Sequence, residues 1–82
     1  MGKYLLTIEQ EDDEVIHIHA NKKGLQLLKQ EIENLLSKDT SDHTHLFTES
    51  WGGNELTETL PIENGKGIIN HLKIFKWNDE DF

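Results

Sequence analysis

The sequence contains no cysteine and no arginine, and each absence excludes a class of function. Without cysteine the chain cannot form disulfides or a thiolate zinc site, which fits a reducing compartment. Without arginine it lacks the planar guanidinium that clamps phosphates and carboxylates through two parallel hydrogen bonds. We therefore do not expect phosphoryl-transfer chemistry.

The sequence also lacks a long hydrophobic run. The apolar run within residues 1–9 is too short for a signal peptide or a membrane span, so we expect a cytoplasmic protein with no membrane partner. At 82 residues the chain is predicted to form one domain, 1–82, in which residues 79–82 are a frayed tail. A chain of this length buries only about 60–65% of its unfolded surface, so its core should be one thin layer.

Basic residues are scarce relative to acidic ones. The chain has 16 aspartates and glutamates against 8 lysines, which gives a net charge of −8. Such a body repels nucleic acid and anionic membranes and attracts a basic surface, so no nucleic-acid partner is expected. The acidic excess is equally compatible with a role in solubility alone.

The spacing of apolar residues predicts an α+β fold. The expected elements are strands at residues 3–9, 15–20, 43–48 and 67–77, and a helix at residues 22–38. Asn21 is placed to cap the helix, and Gly24 in its first turn lets the helix pack closely on the sheet. We expect a four-stranded, mostly antiparallel sheet, in the chain order β-β-α-β-β, with the helix on one face.

The same spacing predicts a core of strand and helix side chains. Its expected members are Leu6, Ile8, Ile16, Ile18, Leu25, Leu28, Ile32, Leu35, Leu46, Leu72 and Ile74. Residues 56–62 are interpreted as a loop, alone or with a short edge segment, because Pro61 argues against a central strand. Residues 64–67 have the composition of a tight turn.

The alternation of side chains places all the histidines on the sheet face that the helix leaves uncovered. These are His17, His19, His43, His45 and His71, with Phe47, Phe75 and Trp77 among them. Three interpretations remain open. The face is an ordinary half-exposed sheet surface, a protein-binding patch, or a zinc site formed by His43, His45 and His71 with help from Asp42 or Glu49.

The turn at Trp51-Gly52-Gly53 also has two interpretations. An aromatic residue before two glycines pins a sharp turn against the core, or the turn presents Trp51, Asn54 and Glu55 to a partner. Catalysis has little support, because there is no cysteine nucleophile and no Gly-x-Ser-x-Gly motif surrounds Ser50. We expect no catalytic residues, no cofactor and no enzyme activity.

The sequence resembles the immunity protein 32 family of bacterial polymorphic toxin systems. The resemblance lies in Asp42-His43-Thr44-His45-Leu46, in Trp51-Gly52-Gly53-Asn54-Glu55-Leu56 and in Ile69-Asn70-His71-Leu72-Lys73-Ile74. It implies a small intracellular α+β protein, encoded beside a toxin, that binds and neutralises that toxin without catalysis.

An acidic body suits the blocking of a basic active or binding surface on such a toxin. The candidate contact residues are Trp51, Asn54, Glu55, Phe75, Trp77, His43, His45 and His71. The alternative function is a small metal-binding or scaffold module without catalysis, in which His43, His45 and His71 hold the metal.

Overall fold

The computed structural model describes residues 3–60 and 67–82. Within these residues the elements are β1 (Leu6–Gln10), β2 (Ile16–Ala20), α1 (Lys22–Leu36), β3 (Asp42–Phe47) and β4 (His71–Lys76), with short 3-10 helices at Glu49–Trp51 and Asp79–Asp81. The predicted α+β class and the element order are confirmed. Apart from Gly67, the turn predicted at residues 64–67 lies outside the described residues, as does Pro61.

Hydrogen bonding divides the four described strands into two antiparallel pairs, β1 with β2 and β3 with β4. We expected a single sheet, and the segment preceding β4 accounts for the difference. There the Ile69 N–H donates to the Ile8 carbonyl at 2.8 Å. One residue later, the Asn70 carbonyl accepts from the Thr48 N–H at 3.0 Å. The strand predicted at residues 67–77 therefore runs first beside β1 and then beside β3.

The core centres on β1. Leu6, Ile8, Leu46 and Leu56 form one buried cluster. The partly buried apolar residues packed against it are Tyr4, Ala20, Leu27, Ile69, Leu72 and Ile74. Leu56 was not predicted to be a core residue, because residues 56–62 were interpreted as a loop.

Both faces of β1 are covered. The residue between the two buried apolar side chains, Thr7, is fully buried, and its hydroxyl donates to the Thr59 carbonyl at 2.7 Å. The Thr57 N–H donates to the Leu6 carbonyl at 2.8 Å, which holds this extended segment against the strand. Thr57 and Thr59 thus cover Thr7 on the second face of β1 and provide the partners of its hydroxyl.

The helix begins as predicted at Asn21. Its Oδ1 accepts from the Gly24 N–H and also from the Leu5 N–H, both at 3.0 Å, which ties the first turn to the start of β1. The close packing expected at Gly24 is confirmed, because a Cβ on this residue would lie 1.8 Å from the Leu5 carbonyl oxygen. No helix among the described residues combines the length and apolar character needed to span a membrane.

Four predicted core residues are wrong: Ile16, Ile18, Leu25 and Ile32 are exposed by 55%, 54%, 54% and 43%. On the helix, the reason is that Glu31 faces β3, where its Oε1 accepts from the Thr44 hydroxyl at 2.7 Å. Successive residues lie about 100° apart around the helix axis. The side that faces the sheet, which includes Glu31, is therefore centred away from Leu25 and Ile32. On β2, the described residues pair this strand with β1 alone, and its outer position leaves both isoleucines open to solvent.

Candidate functional site: a row of rings on β3 and β4

The outward face of the β3–β4 pair carries the aromatic and histidine side chains. The pairing places His43 opposite Phe75 and Phe47 opposite His71. Leu46, between His45 and Phe47, is fully buried. The side-chain alternation predicted for these two strands is therefore confirmed.

The rings on this face contact one another in sequence. His43 stacks on Phe75, with centroids 5.1 Å apart and planes at 22°, and Phe75 lies 6.1 Å from Trp77. In the other direction the His43 ring meets the edge of His45 at 4.7 Å. His71 lies 5.0 Å from His45 and 4.2 Å from Phe47.

We call this surface the ring row and define it by its members Trp77, Phe75, His43, His45, His71 and Phe47. Phe75 is 50% exposed and Trp77 is 57% exposed, so the stacking leaves large apolar areas in contact with water. The rings also fix one another's orientation. The arrangement is a pre-ordered apolar surface with polar ring nitrogens at its centre.

The two central histidines share a hydrogen bond. The His45 Nδ1 and the His71 Nε2 lie 2.8 Å apart, so one nitrogen donates and the other must accept. An imidazolium has no acceptor nitrogen, so the pair holds at most one proton more than two neutral rings. Desolvation lowers the pKa of His45 below its ordinary value of 6.5, and the charges of His43, His71 and Lys73 lower it further.

We expect the His45 imidazole to titrate below pH 6.5 in the folded protein. Because its folded-state pKa lies below the unfolded value, the unfolded chain binds more protons, so folding stability from this group is present above the unfolded pKa. That stability is lost as the pH falls through the folded pKa. Ring chemical shifts followed against pH measure the midpoint, with His45→Asn to assign the signal. A midpoint at or above 6.5 contradicts this prediction.

Trp51 is presented to solvent. It ends the 3-10 helix Glu49–Trp51 and is 59% exposed, so it does not pin the turn against the core. The following Gly52 has a φ of 90°, a left-handed conformation that favours glycine. A Cβ on Gly53 would lie 2.4 Å from the Phe47 Cβ, so the second glycine permits a close approach to β3.

The two polar residues of the same turn differ in their surroundings. Asn54 is exposed. Glu55 is half-buried, and its Oε1 accepts from the Phe47 N–H at 3.0 Å. The Glu55 carbonyl accepts from the Tyr4 hydroxyl, whose pKa is raised by burial and then by the Glu55 charge. The Glu55 carboxylate thus holds the turn against the end of β3.

A second histidine cluster lies on the β1–β2 hairpin. Among the described residues, the group of three whose metal-ligand atoms all lie within 4.8 Å of one another is Glu9, His17 and His19. The sequence predicted that all five histidines share one sheet face, but hydrogen bonding separates His17 and His19, on the β1–β2 pair, from the other three, on the β3–β4 pair. Sequence reasoning also did not add Glu9 to the two histidines of β2. The pairing that brings Glu9 opposite His17 supplies that missing residue.

Comparison with known families matches residues 15–72 to the family described as immunity protein 32. No curated protein matched, and no solved structure matched. The matched range spans β2, α1, β3 and the Trp51 turn and ends within β4. Phe75 and Trp77 therefore follow the matched range, although their rings continue the row that begins inside it.

Proposed function

This chain belongs to the immunity protein 32 family, and we propose that it binds and neutralises a cognate toxin of a bacterial polymorphic toxin system. The observation that carries the proposal is the ring row on β3 and β4. We propose that this surface covers an active or binding surface of the toxin, so that inhibition requires binding and no catalytic step.

The ring row has the properties of an interface centre. The residues that dominate binding at protein interfaces are often aromatic and are surrounded by well-packed neighbours. Phe75 and Trp77 are half exposed, and both are stacked on neighbours. Because stacking already restricts these rings, little rotamer freedom is lost when a partner buries them. Trp51 and Asn54 are also exposed, and we propose them as contacts at the edge of the same interface.

Acidic side chains flank the exposed end of the ring row. Asp39, Asp79 and Glu80, together with Lys76, line a depression beside Trp77. The Asn78 side chain donates to the Asp39 carbonyl at 2.7 Å, which anchors the C-terminal segment to the loop after α1. Together with the net charge of −8, this position favours a partner with a basic surface.

The test is co-expression of this protein with the toxin domain encoded beside it. We expect cells to survive when both are produced and to die when the toxin domain is produced alone. A pull-down at low salt should recover a complex, and its association rate should fall as salt rises, with a smaller change in dissociation rate. Equal killing in both cultures, together with no complex at low salt, contradicts the proposal.

A further inference from the structure

We propose that Glu9, His17 and His19 form a divalent-metal site with a preference for zinc. The site lies on the β1–β2 hairpin and is separate from the ring row. It is defined by a His-x-His pair on β2 and the carboxylate that faces it from β1. Its existence does not depend on toxin binding.

The positions of the ligand atoms match a metal site. The Glu9 Oε1 lies 3.3 Å from the His17 Nδ1 and 2.9 Å from the His19 Nε2. Around a tetrahedral zinc ion with bonds of about 2.0–2.1 Å, neighbouring ligand atoms are about 3.3 Å apart. Both carboxylate-to-imidazole separations need to change by at most a few tenths of an ångström, and the two imidazole nitrogens lie within 4.8 Å of each other.

His17 also has the outer partner that a metal-binding histidine uses. Its second ring nitrogen, Nε2, lies 3.1 Å from the Glu11 Oε1. When Nδ1 binds a metal, Nε2 carries the proton and donates it to a carboxylate, which fixes the tautomer and the ring orientation. One imidazole is therefore aligned between a ligand carboxylate and a supporting carboxylate.

The three side chains of the site are shielded from water. Glu9 is only 4% exposed. His17 and His19 are also shielded, with side chains 35% and 18% exposed. The site is therefore partly enclosed, which limits solvent access to a bound ion.

The donor set selects the type of metal. Two imidazoles and one carboxylate suit zinc and neighbouring transition metals, whereas calcium and magnesium prefer sites built wholly from oxygen. Three protein ligands leave a fourth position, which we assign to water. The two histidines and Glu9 come from paired strands, so metal binding should stabilise the hairpin.

Thermal unfolding with added zinc tests the site. At zinc concentrations about a hundredfold above the dissociation constant, we expect the melting temperature to rise by on the order of 10 °C, and chelator to reverse the rise. Calorimetry should give one zinc per chain, and magnesium should give no comparable shift. An unchanged melting temperature with zinc overturns the proposal.

The chain offers a matched control in its second His-x-His pair. His17→Asn with His19→Asn should abolish the zinc effect, whereas His43→Asn with His45→Asn should retain it. The opposite result assigns the metal to the ring row and overturns the proposal. Should the first double variant fail to fold, the imidazole nitrogen shifts of the unaltered protein decide the question. Zinc must move the signals of His17 and His19 rather than those of His43, His45 and His71.

A milder pair of variants tests the supporting carboxylate. Glu11 is 53% exposed, so Glu11→Gln should fold normally while it weakens zinc binding by about 10–100-fold. Glu14→Gln removes the same charge from the exposed loop between the strands and should leave zinc affinity nearly unchanged. Equal losses in the two variants indicate a general charge effect and overturn the assigned role of Glu11.

Discussion

Replacing Gly24 with alanine is expected to destabilise the fold by about 3 kcal/mol or more, which is at or above the usual cost of overpacking. The added Cβ would lie 1.8 Å from the Leu5 carbonyl oxygen and 2.8 Å from its carbon, both backbone atoms. Relief requires the helix to move away from β1. That movement would break the hydrogen bonds that join Asn21 to Leu5 and Lys3.

The direction of the stability change on Gly24→Ala distinguishes an effect of packing from an effect of helix propensity. In an open helix, glycine to alanine stabilises by about 1 kcal/mol. Urea unfolding and thermal melting measure the difference, and a loss of 3 kcal/mol lowers the melting temperature of a domain this size by roughly 12 °C or more. Gln26→Ala, at an exposed position on the same helix, is the control and should change stability little. An unchanged or higher melting temperature for Gly24→Ala contradicts the close contact.

The signals that predicted the fold correctly are local. The Asn21 cap, the spacing of apolar residues along α1 and the alternation along β3 each depend on a few neighbouring residues. Gly24 could be interpreted in the same way. Glycine is unfavourable inside a helix, so its presence in the first turn indicates that another part of the chain approaches closely there. These features identify each element without any knowledge of its partners.

The errors arise where burial depends on distant contacts. Alternation shows that Ile16 and Ile18 share a face, but it does not show that β2 lies at an outer position. Helical spacing likewise predicted that Leu25 and Ile32, rather than Glu31, face the sheet. In the structure Glu31 faces β3, where the Thr44 hydroxyl donates a hydrogen bond to its carboxylate. Such outcomes are set by the arrangement of the elements.

The two histidine clusters show the same distinction. On β3 the period of two was sufficient to place His43, His45 and Phe47 on the outward face. The Glu9 cluster additionally needs the register of the hairpin, in which Gln10 pairs with Ile16. Register depends on the conformation of the connecting loop, which the acidic run at residues 11–14 does not specify.

The largest effect on binding is expected when both exposed rings are removed, as Phe75→Ala with Trp77→Ala. This expectation depends on the proposed toxin-binding role. Truncation of a dominant interface residue costs about 2 kcal/mol or more, so the pair should weaken toxin affinity by roughly a thousandfold. Most of the change should be in the dissociation rate, because both residues act after the partners have met.

Stability should change far less than binding, because both side chains are at least 50% exposed. Ile16→Ala with Ile18→Ala removes apolar area of similar exposure from β2, away from the ring row, and should leave toxin affinity nearly unchanged. Asp79→Asn with Glu80→Gln should instead slow association at low salt and have little effect at high salt. If the isoleucine pair weakens binding as much as the aromatic pair, the toxin contacts β2, and the ring row is not the centre of the interface.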